Sequence, residues 1–186
     1  MPAAAPIIVP TLTMAQLRLR PFRPDDAAWV YYVSLDPELR RQLSLPEPYH
    51  RSHARYFVDQ IAIATAQAGQ GADFVIEDSD TEIALGWVGL HRQRGDALGC
   101  GYWLAADARG RGLMTRALRA ACEWALTPPP AGLGARAIHW QAHVGNYASR
   151  AVAERVGFCI QPETVPGRTT EKWVGVLETE SLRPDR

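Results

Sequence analysis

The sequence has no run of about 18 consecutive apolar residues, the length that a helix needs to span the core of a bilayer. It also lacks a basic segment followed by an apolar core at its start, where MPAAAPIIVP is interrupted by prolines. We therefore expect a tail there rather than a signal peptide. These absences predict a cytoplasmic protein with no membrane partner.

An excess of one charge is also missing. The 20 Lys and Arg residues balance 20 Asp and Glu residues, so no long-range field attracts nucleic acid. Cysteine is scarce, and Cys100, Cys122 and Cys159 lack the spacing of a metal site. We therefore expect three buried, reduced thiols, no metal and no nucleic-acid partner.

The sequence does have enough hydrophobic residues to form one core. Its 186 residues are 47% hydrophobic, which suits a single domain. No repeat or linker divides the chain. We expect a loose N-terminal arm over residues 1–13, one domain over residues 14–180 and a C-terminal tail over residues 181–186.

Apolar periodicity and chain breakers predict strands and helices in mixed order. The predicted strands lie at residues 16–21, 72–77, 82–91, 101–104, 137–144, 158–161 and 171–179. The predicted helices lie at residues 24–36, 38–43, 51–68, 109–126 and 146–157. This order is typical of an α/β or α+β domain with three layers.

The most informative stretch runs from residue 98 to residue 126. Gly101–Leu104 has the composition of a buried strand, with Tyr102 and Trp103 in the core. Arg109-Gly110-Arg111-Gly112 then precedes an amphipathic helix that Thr127 and three prolines end. The first turn of a helix has unpaired N–H groups, and glycines let a ligand approach them. The stretch therefore predicts a site for an anion such as phosphate; the alternative is a glycine-rich turn with two solvated arginines.

Four motifs carry a resemblance to a known family. They are RGRGLM at 109–114, LRLRP at 17–21 followed by two aspartates, GWVGL at 86–90, and Asn146-x-x-Ser149 leading to Gly157-Phe158. Over residues 17–177 the chain resembles the GNAT acetyltransferases, and most closely their RimJ/RimL branch of ribosomal-protein N-terminal acetyltransferases. The GNAT signature is [Q/R]-x-x-G-x-[G/A], and this chain departs from it at Met114.

The resemblance implies a GNAT fold, in which helices flank a mixed, mostly antiparallel sheet, and an acetyl-CoA site without metal. In that family the loop amides hold the pyrophosphate of the coenzyme, and a backbone amide of the central strand binds the thioester carbonyl. The central strand separates from the strand at 137–144, and the pantetheine arm lies in the gap. The coenzyme-binding residues implied here are Trp103, Leu104, Ala105, Arg109, Gly110, Arg111, Gly112, Leu113, Met114, Thr115, Asn146 and Ser149.

Two residues are predicted to act in catalysis, Ser149 and Glu171. The resemblance places the Ser149 hydroxyl near the sulfur as a general acid. The spacing of Asn146 and Ser149 also suits a helix cap with a polar first turn. Glu171 is the preferred base because it begins the last strand beside the family's active cleft. The other candidate bases are Glu77, Glu82, His91, Asp96, His139 and His143, and a water relay or no base at all remains open.

The predicted function is transfer of an acetyl group from acetyl-CoA to a primary amine. The acceptor is a peptide N-terminus, an antibiotic amine or a small polyamine, and the alternative function is a non-catalytic module that binds acyl-CoA. We expect the acceptor pocket to be lined by residues 49–57 and by Glu171. Residues 48–53 are not acidic, which favours a peptide or a small amine over a polycation. The protein is expected to be a monomer or a homodimer.

Overall fold

A single mixed sheet organises the computed structural model, which describes residues 4–43, 45–93, 96–161 and 172–179. The strands in these ranges are β1 (Leu12–Met14), β2 (Leu17–Pro21), β3 (Gly71–Asp78), β4 (Ala84–Arg92), β5 (Ala97–Leu104), β6 (Ala137–His143), β7 (Cys159–Ile160) and β8 (Lys172–Glu178). Their order across the sheet is β1-β2-β3-β4-β5-β6-β8-β7. The β5–β6 pair is parallel and the other neighbouring pairs are antiparallel. The predicted fold class is confirmed.

Helices cover both faces of this sheet. They are α1 (Asp26–Val33), α2 (Pro37–Gln42), α3 (Arg51–Tyr56), a π-helical segment (Phe57–Ile63), α4 (Ala64–Gln67), α5 (Leu113–Leu126) and α6 (Tyr147–Val156). The predicted helix over residues 51–68 is one continuous helical stretch with the π-helical segment in its middle. Within the described ranges, none of the helices is long and apolar enough to cross a membrane.

Helix α5 packs on one face of the sheet through the residues that its periodicity predicted. Its side chains at Leu113, Ala117, Leu118, Ala121 and Cys122 are all buried against the main core. The helix ends at Leu126, directly before Thr127 and the three prolines. This packing fixes the direction of the helix, so its first turn lies beside the end of β5.

The opposite face of the sheet is covered by α1, α3 and the π-helical segment. Phe22, Val30, Ala54 and Val58 form a second core against Val75 of β3. The two cores leave the sheet as a middle layer between helices. The expected three-layer arrangement is therefore present.

The sheet separates into two halves between β5 and β6. These strands pair only at Ala97/Ala137, Leu98/Ile138 and Gly99/His139. Beyond that point β5 continues beside β4 and β6 continues beside β8. The separation that the family resemblance implied is present, and it opens the second half of β5 on one edge.

Two sequence-based expectations are wrong. The arm over residues 1–13 is not loose throughout, because Leu12–Met14 forms a strand against β2 and the Ile7 amide donates to the Ala66 carbonyl at 2.9 Å. The thiols are not all buried either, since Cys122 is buried and Cys159 is exposed. Cys159 lies on a two-residue strand at the sheet edge, and its side chain points to solvent rather than to the core.

A buried ionic network joins the first helix to the sheet. Arg20 donates to both carboxylate oxygens of Asp26 at 2.8 and 2.9 Å and to Glu77 at 2.5 Å. Glu77 also accepts from Arg18 at 2.9 Å. Burial acts to raise the pKa of Glu77, but the two guanidinium groups outweigh burial and lower it. The network therefore holds Glu77 ionised although its side chain is only 3% exposed.

Substitution Arg20→Met should lower the free energy of unfolding by about 3 kcal/mol, because it leaves two buried carboxylates without their shared cation. Urea denaturation at pH 7 measures this loss. The difference from the parent should shrink as the pH falls through the lowered pKa of Glu77, because protonation removes the ion pair in the parent as well. Arg55→Met, which removes an exposed pair with Asp59, should cost less than about 0.5 kcal/mol. Equal losses of unfolding free energy in the two variants would contradict a stabilising role for the buried network around Arg20.

Candidate active site

A cleft of about 410 Å³ opens where β5 and β6 separate. One wall is the free edge of β5, a second is the end of β6 with the first turns of α6, and a third is α2. Its lining residues are Glu38, Leu39, Gln42, Leu43, Cys100, Gly101, Tyr102, Trp103, Leu104, Arg109, Met114, Trp140, Gln141, Ala142, His143, Asn146, Ala148, Ser149, Val152 and Lys172. The predicted site residues from both halves of the sheet thus meet in one place.

Ser149 lies in this cleft, and its hydroxyl is not used to cap α6. The cap is made by the Asn146 side chain, whose Oδ1 accepts from the Ser149 backbone amide at 3.1 Å. The Ser149 hydroxyl donates to Tyr102 Oη at 3.0 Å and accepts from Trp140 Nε1 at 3.2 Å. The cap thus involves the backbone of Ser149 and leaves its hydroxyl available for chemistry.

Tyr102 packs against the main core, as expected, and it also lines the cleft, where its hydroxyl contacts Ser149 twice. Its hydroxyl also donates to the Ser149 carbonyl oxygen at 2.9 Å. Burial raises the pKa of the Tyr102 phenol, because the ionised form loses hydration. Tyr102 is therefore protonated and acts as a hydrogen-bond donor. An aromatic residue in a strand gives no signal of this role, because the partner helix is 47 residues away in the sequence.

The hydrogen bonds of β5 decide which backbone amides face the cleft. The Ala105 amide donates to the Leu85 carbonyl at 2.9 Å, toward the β4 side. Alternate residues of a strand direct their backbone groups to opposite edges, so Trp103 also faces β4. Leu104 and Tyr102 therefore direct their amides to the open edge. The sequence predicted that a backbone amide of residues 103–105 donates to the thioester carbonyl. The Leu104 amide fits this prediction, whereas the amides of Trp103 and Ala105 face β4 and do not.

Arg109 does not extend toward solvent as a free cation. Its guanidinium donates to the Leu104 carbonyl at 3.0 and 3.2 Å and pairs with Asp36. Burial acts to raise the pKa of Asp36, but the Glu38 amide and Arg109 outweigh it and lower that pKa. The side chain of Arg109 therefore lines the cleft and ties β5 to the start of α2, instead of adding charge to the anion site.

The glycine loop before α5 has the shape of an anion site. Gly110 and Gly112 have φ values of +75° and +70°, and a Cβ at either position would meet nothing within 4 Å. The first backbone hydrogen bond of α5 is the one that the Arg116 amide donates to the Gly112 carbonyl at 3.3 Å. The amides of residues 113–115 before it form the unpaired first turn of the helix. The open backbone, the left-handed glycines and the helix start fit a phosphate group.

The loop and the cleft are adjacent but distinct. Met114, where the chain departs from the family signature, is 5% exposed and its side chain lines the cleft. The bulk of this side chain is thus directed away from the open side of the loop. Gly110, Arg111, Gly112, Leu113 and Thr115 do not line the cleft.

The structure separates the candidate bases. His143 lines the cleft, whereas Asp96 does not. Glu171 lies outside the described residues. The remaining four bond to side chains away from the cleft: Glu77 to Arg18 and Arg20, Glu82 to Arg18, His91 to Asp73, and His139 to Gln93.

The expected lining by residues 49–57 is wrong. Tyr49 is 8% exposed and stacks on Tyr31, within the second core. Helix α2 lines the cleft instead, through Glu38 and its neighbours. Glu38 is a site residue that the sequence analysis missed, because a short polar helix shows no pattern that marks a pocket.

Residues 16–159 match the sequence profile of the acetyltransferase (GNAT) domain. The chain belongs to the GNAT acetyltransferase family. No curated protein sequence matches it significantly. In the described ranges, no group of three His, Cys, Asp or Glu side chains is arranged to hold a metal ion.

Solved GNAT structures share the fold over most of the chain. The RimL ribosomal L7/L12 alpha-N-protein acetyltransferase, in complex with coenzyme A, has a TM-score of 0.75 and 21% identity, covering 91% of this chain and 98% of that one. The ribosomal-protein-S5-alanine acetyltransferase from Vibrio fischeri has a TM-score of 0.73 and 17% identity, covering 94% and 100%. The Microcin C7 self-immunity acetyltransferase MccE, in complex with acetyl-CoA and AMP, has a TM-score of 0.71 and 16% identity, covering 89% and 93%.

For this GNAT chain, Gly112→Val should raise the Kd for acetyl-CoA at least about tenfold, by placing a branched side chain where the phosphate approaches the amides. Because a Cβ at Gly112 meets no protein atom, a clash inside the protein does not explain such a loss. Isothermal titration calorimetry measures the Kd. Gly157→Val introduces the same left-handed strain at the end of α6 and should leave the Kd unchanged. Parental affinity in Gly112→Val would remove the loop from the coenzyme site.

Proposed function

We propose that this protein is an acetyl-CoA-dependent N-acetyltransferase that acetylates a primary amine. One observation carries the proposal: the Ser149 hydroxyl is held by Tyr102 and Trp140 inside the cleft that the open edge of β5 forms. A backbone donor for a carbonyl and a hydroxyl for a leaving group thus face the same space. That pairing suits acyl transfer from a thioester.

The coenzyme is proposed to bind along the open edge of β5. The amides of the loop at 110–115 would hold its pyrophosphate, and the cleft would hold the pantetheine arm. Asn146 lines that cleft and keeps one side-chain nitrogen for the coenzyme while its oxygen caps α6. Coenzyme A in the RimL structure and acetyl-CoA in the MccE structure support this assignment.

Leu104 is the proposed electrophilic donor. Its amide faces the cleft, and its carbonyl is already fixed by Arg109. Negative charge develops on the thioester oxygen during attack by the amine, and a preorganised N–H group stabilises that charge without reorganising. Because Arg109 holds the strand end in place, the Leu104 amide stays aimed at the cleft.

Ser149 is the proposed donor to the leaving sulfur. When the carbon–sulfur bond breaks, the sulfur becomes a thiolate that needs a proton or a hydrogen bond. The Ser149 hydroxyl supplies this donor from the first turn of α6. The positive end of that helix also favours a developing negative charge.

Glu171 remains the proposed base that removes a proton from the attacking amine. The family resemblance supports the proposal, because it places the start of the last strand beside the active cleft. His143 is the alternative base, because it lines the cleft and an imidazole ring nitrogen can accept a proton from the amine.

The charge of the cleft favours a peptide N-terminus or a small amine as the acceptor. Among the described lining residues, Glu38 is the one carboxylate, whereas Arg109, His143 and Lys172 carry or can carry positive charge. A polycationic antibiotic would need a strongly acidic wall. The ribosomal-protein acetyltransferases among the fold neighbours support the peptide acceptor. The cytoplasmic location and the monomeric or dimeric state remain proposals from the sequence.

Purified protein should acetylate peptides that begin with Ala or Ser faster than aminoglycosides at equal concentration, because the cleft lacks the acidic wall that a polycation needs. Release of free coenzyme A thiol measures the rate. Ser149→Ala should lower kcat roughly ten- to a thousandfold, and its KM for acetyl-CoA should stay within about twofold of the parent, because the cap of α6 does not use the hydroxyl.

The outcomes separate the alternatives. Faster turnover of aminoglycosides would overturn the peptide preference. Tight binding of acetyl-CoA with no turnover of any amine would make the protein a non-catalytic acyl-CoA-binding module. An unchanged kcat in Ser149→Ala would remove Ser149 from the chemistry and leave thiolate protonation to water.

A further inference from the structure

The Tyr102 hydroxyl lies within hydrogen-bond distance of two oxygen atoms of the same residue: it donates to the Ser149 carbonyl oxygen and accepts from the Ser149 hydroxyl. It lies 2.9 Å from the carbonyl oxygen of Ser149 and 3.0 Å from its Oγ. The two oxygens belong to one serine, and Tyr102 comes from β5 on the other side of the cleft. Rotation about the Cζ–Oη bond of Tyr102 can therefore redirect its O–H from the Ser149 carbonyl oxygen to Ser149 Oγ without moving a heavy atom.

The hydrogen bonds of this arrangement conflict with the role proposed for Ser149. A serine hydroxyl has one proton, and here Ser149 directs it to Tyr102 Oη at 3.0 Å. Donation to the coenzyme sulfur requires that same proton. Trp140 does not compete for it, because an indole N–H only donates and already points at Ser149 Oγ at 3.2 Å. Release of the serine proton therefore requires a change in the hydrogen bond between Ser149 Oγ and Tyr102 Oη.

We propose that Tyr102 is a positioning residue that releases the Ser149 proton for the sulfur by turning its own O–H from the Ser149 carbonyl oxygen to Ser149 Oγ. After this rotation of the Tyr102 hydroxyl, Ser149 Oγ accepts from Tyr102 and from Trp140 and donates to the sulfur. No covalent bond breaks in this step. Two fixed donors then set the direction of the third bond, which is the one that the leaving group needs.

The surroundings of Tyr102 suit this role better than that of an acid. The phenol is largely buried, and its raised pKa opposes formation of a phenolate. Its neighbour on the same strand, Cys100, is also kept neutral, since burial raises the pKa of that thiol to about 12. Tyr102 thus keeps its proton and acts on the reaction through Ser149.

The test is a double-mutant cycle of Tyr102→Phe and Ser149→Ala, and it rests on the proposed acetyltransferase function. Tyr102→Phe should lower kcat about tenfold, which corresponds to about 1.4 kcal/mol of transition-state stabilisation, with KM for acetyl-CoA within about twofold of the parent. In the Ser149→Ala background the same change should have no further effect on kcat, because Tyr102 acts through the missing hydroxyl. Tyr56→Phe, at an exposed tyrosine on α3, is the control and should keep parental kcat.

Three results would overturn the inference while the proposed function stands. They are parental kcat in Tyr102→Phe, multiplicative losses in the double variant, or a rise in KM that accounts for the whole loss. A general structural role of the hydroxyl would lower the thermal midpoint and would add to the loss in Ser149→Ala. Failure of the proposed function is distinguished from all of these, because the parent protein would then show no amine acetylation.

Discussion

The parting of β5 from β6 is the constraint on which the rest of this molecule depends. A strand that loses its neighbour inside a protein leaves backbone amides and carbonyls that need other partners. On this edge, the Leu104 carbonyl is satisfied by Arg109, while the amides of Leu104 and Tyr102 face the cleft. An extended molecule with its own amide groups, such as a pantetheine arm, can complete the missing ladder. The defect in the sheet is thus the basis of the proposed binding site.

The elements around the opening are tied to one another by polar contacts. The pair between Arg109 and Asp36 joins the loop before α5 to the start of α2, so the proposed coenzyme loop and the α2 wall of the cleft share one anchor. Across the cleft, Tyr102 joins β5 to Ser149 at the start of α6. The first turn of α6 and the open edge of β5 therefore border the same cleft, and the first turn of α5 lies next to it. Helix N-termini favour anions and developing negative charge.

The sequence predicted the elements of the fold well, because strong local signals mark them. The periodicity of α5, the three prolines after Thr127 and the cap at Asn146 act within a few residues. The site was predicted in part. Whether the backbone amide of Leu104 or that of Trp103 faces the cleft depends on the pairing of β5 with β4, which is a non-local property. The partner of Tyr102 and the inward position of Glu38 depend on the tertiary fold in the same way.

The most direct measurement of this account is a crystal structure of the protein with coenzyme A bound. We expect the pantetheine arm between β5 and β6, one of its carbonyls accepting from the amide of Tyr102 or Leu104, and the sulfur within about 3.5 Å of Ser149 Oγ. The pyrophosphate should contact the amides of residues 110–115. Coenzyme A bound outside the opening between the two strands, or a sulfur distant from Ser149, would contradict the account.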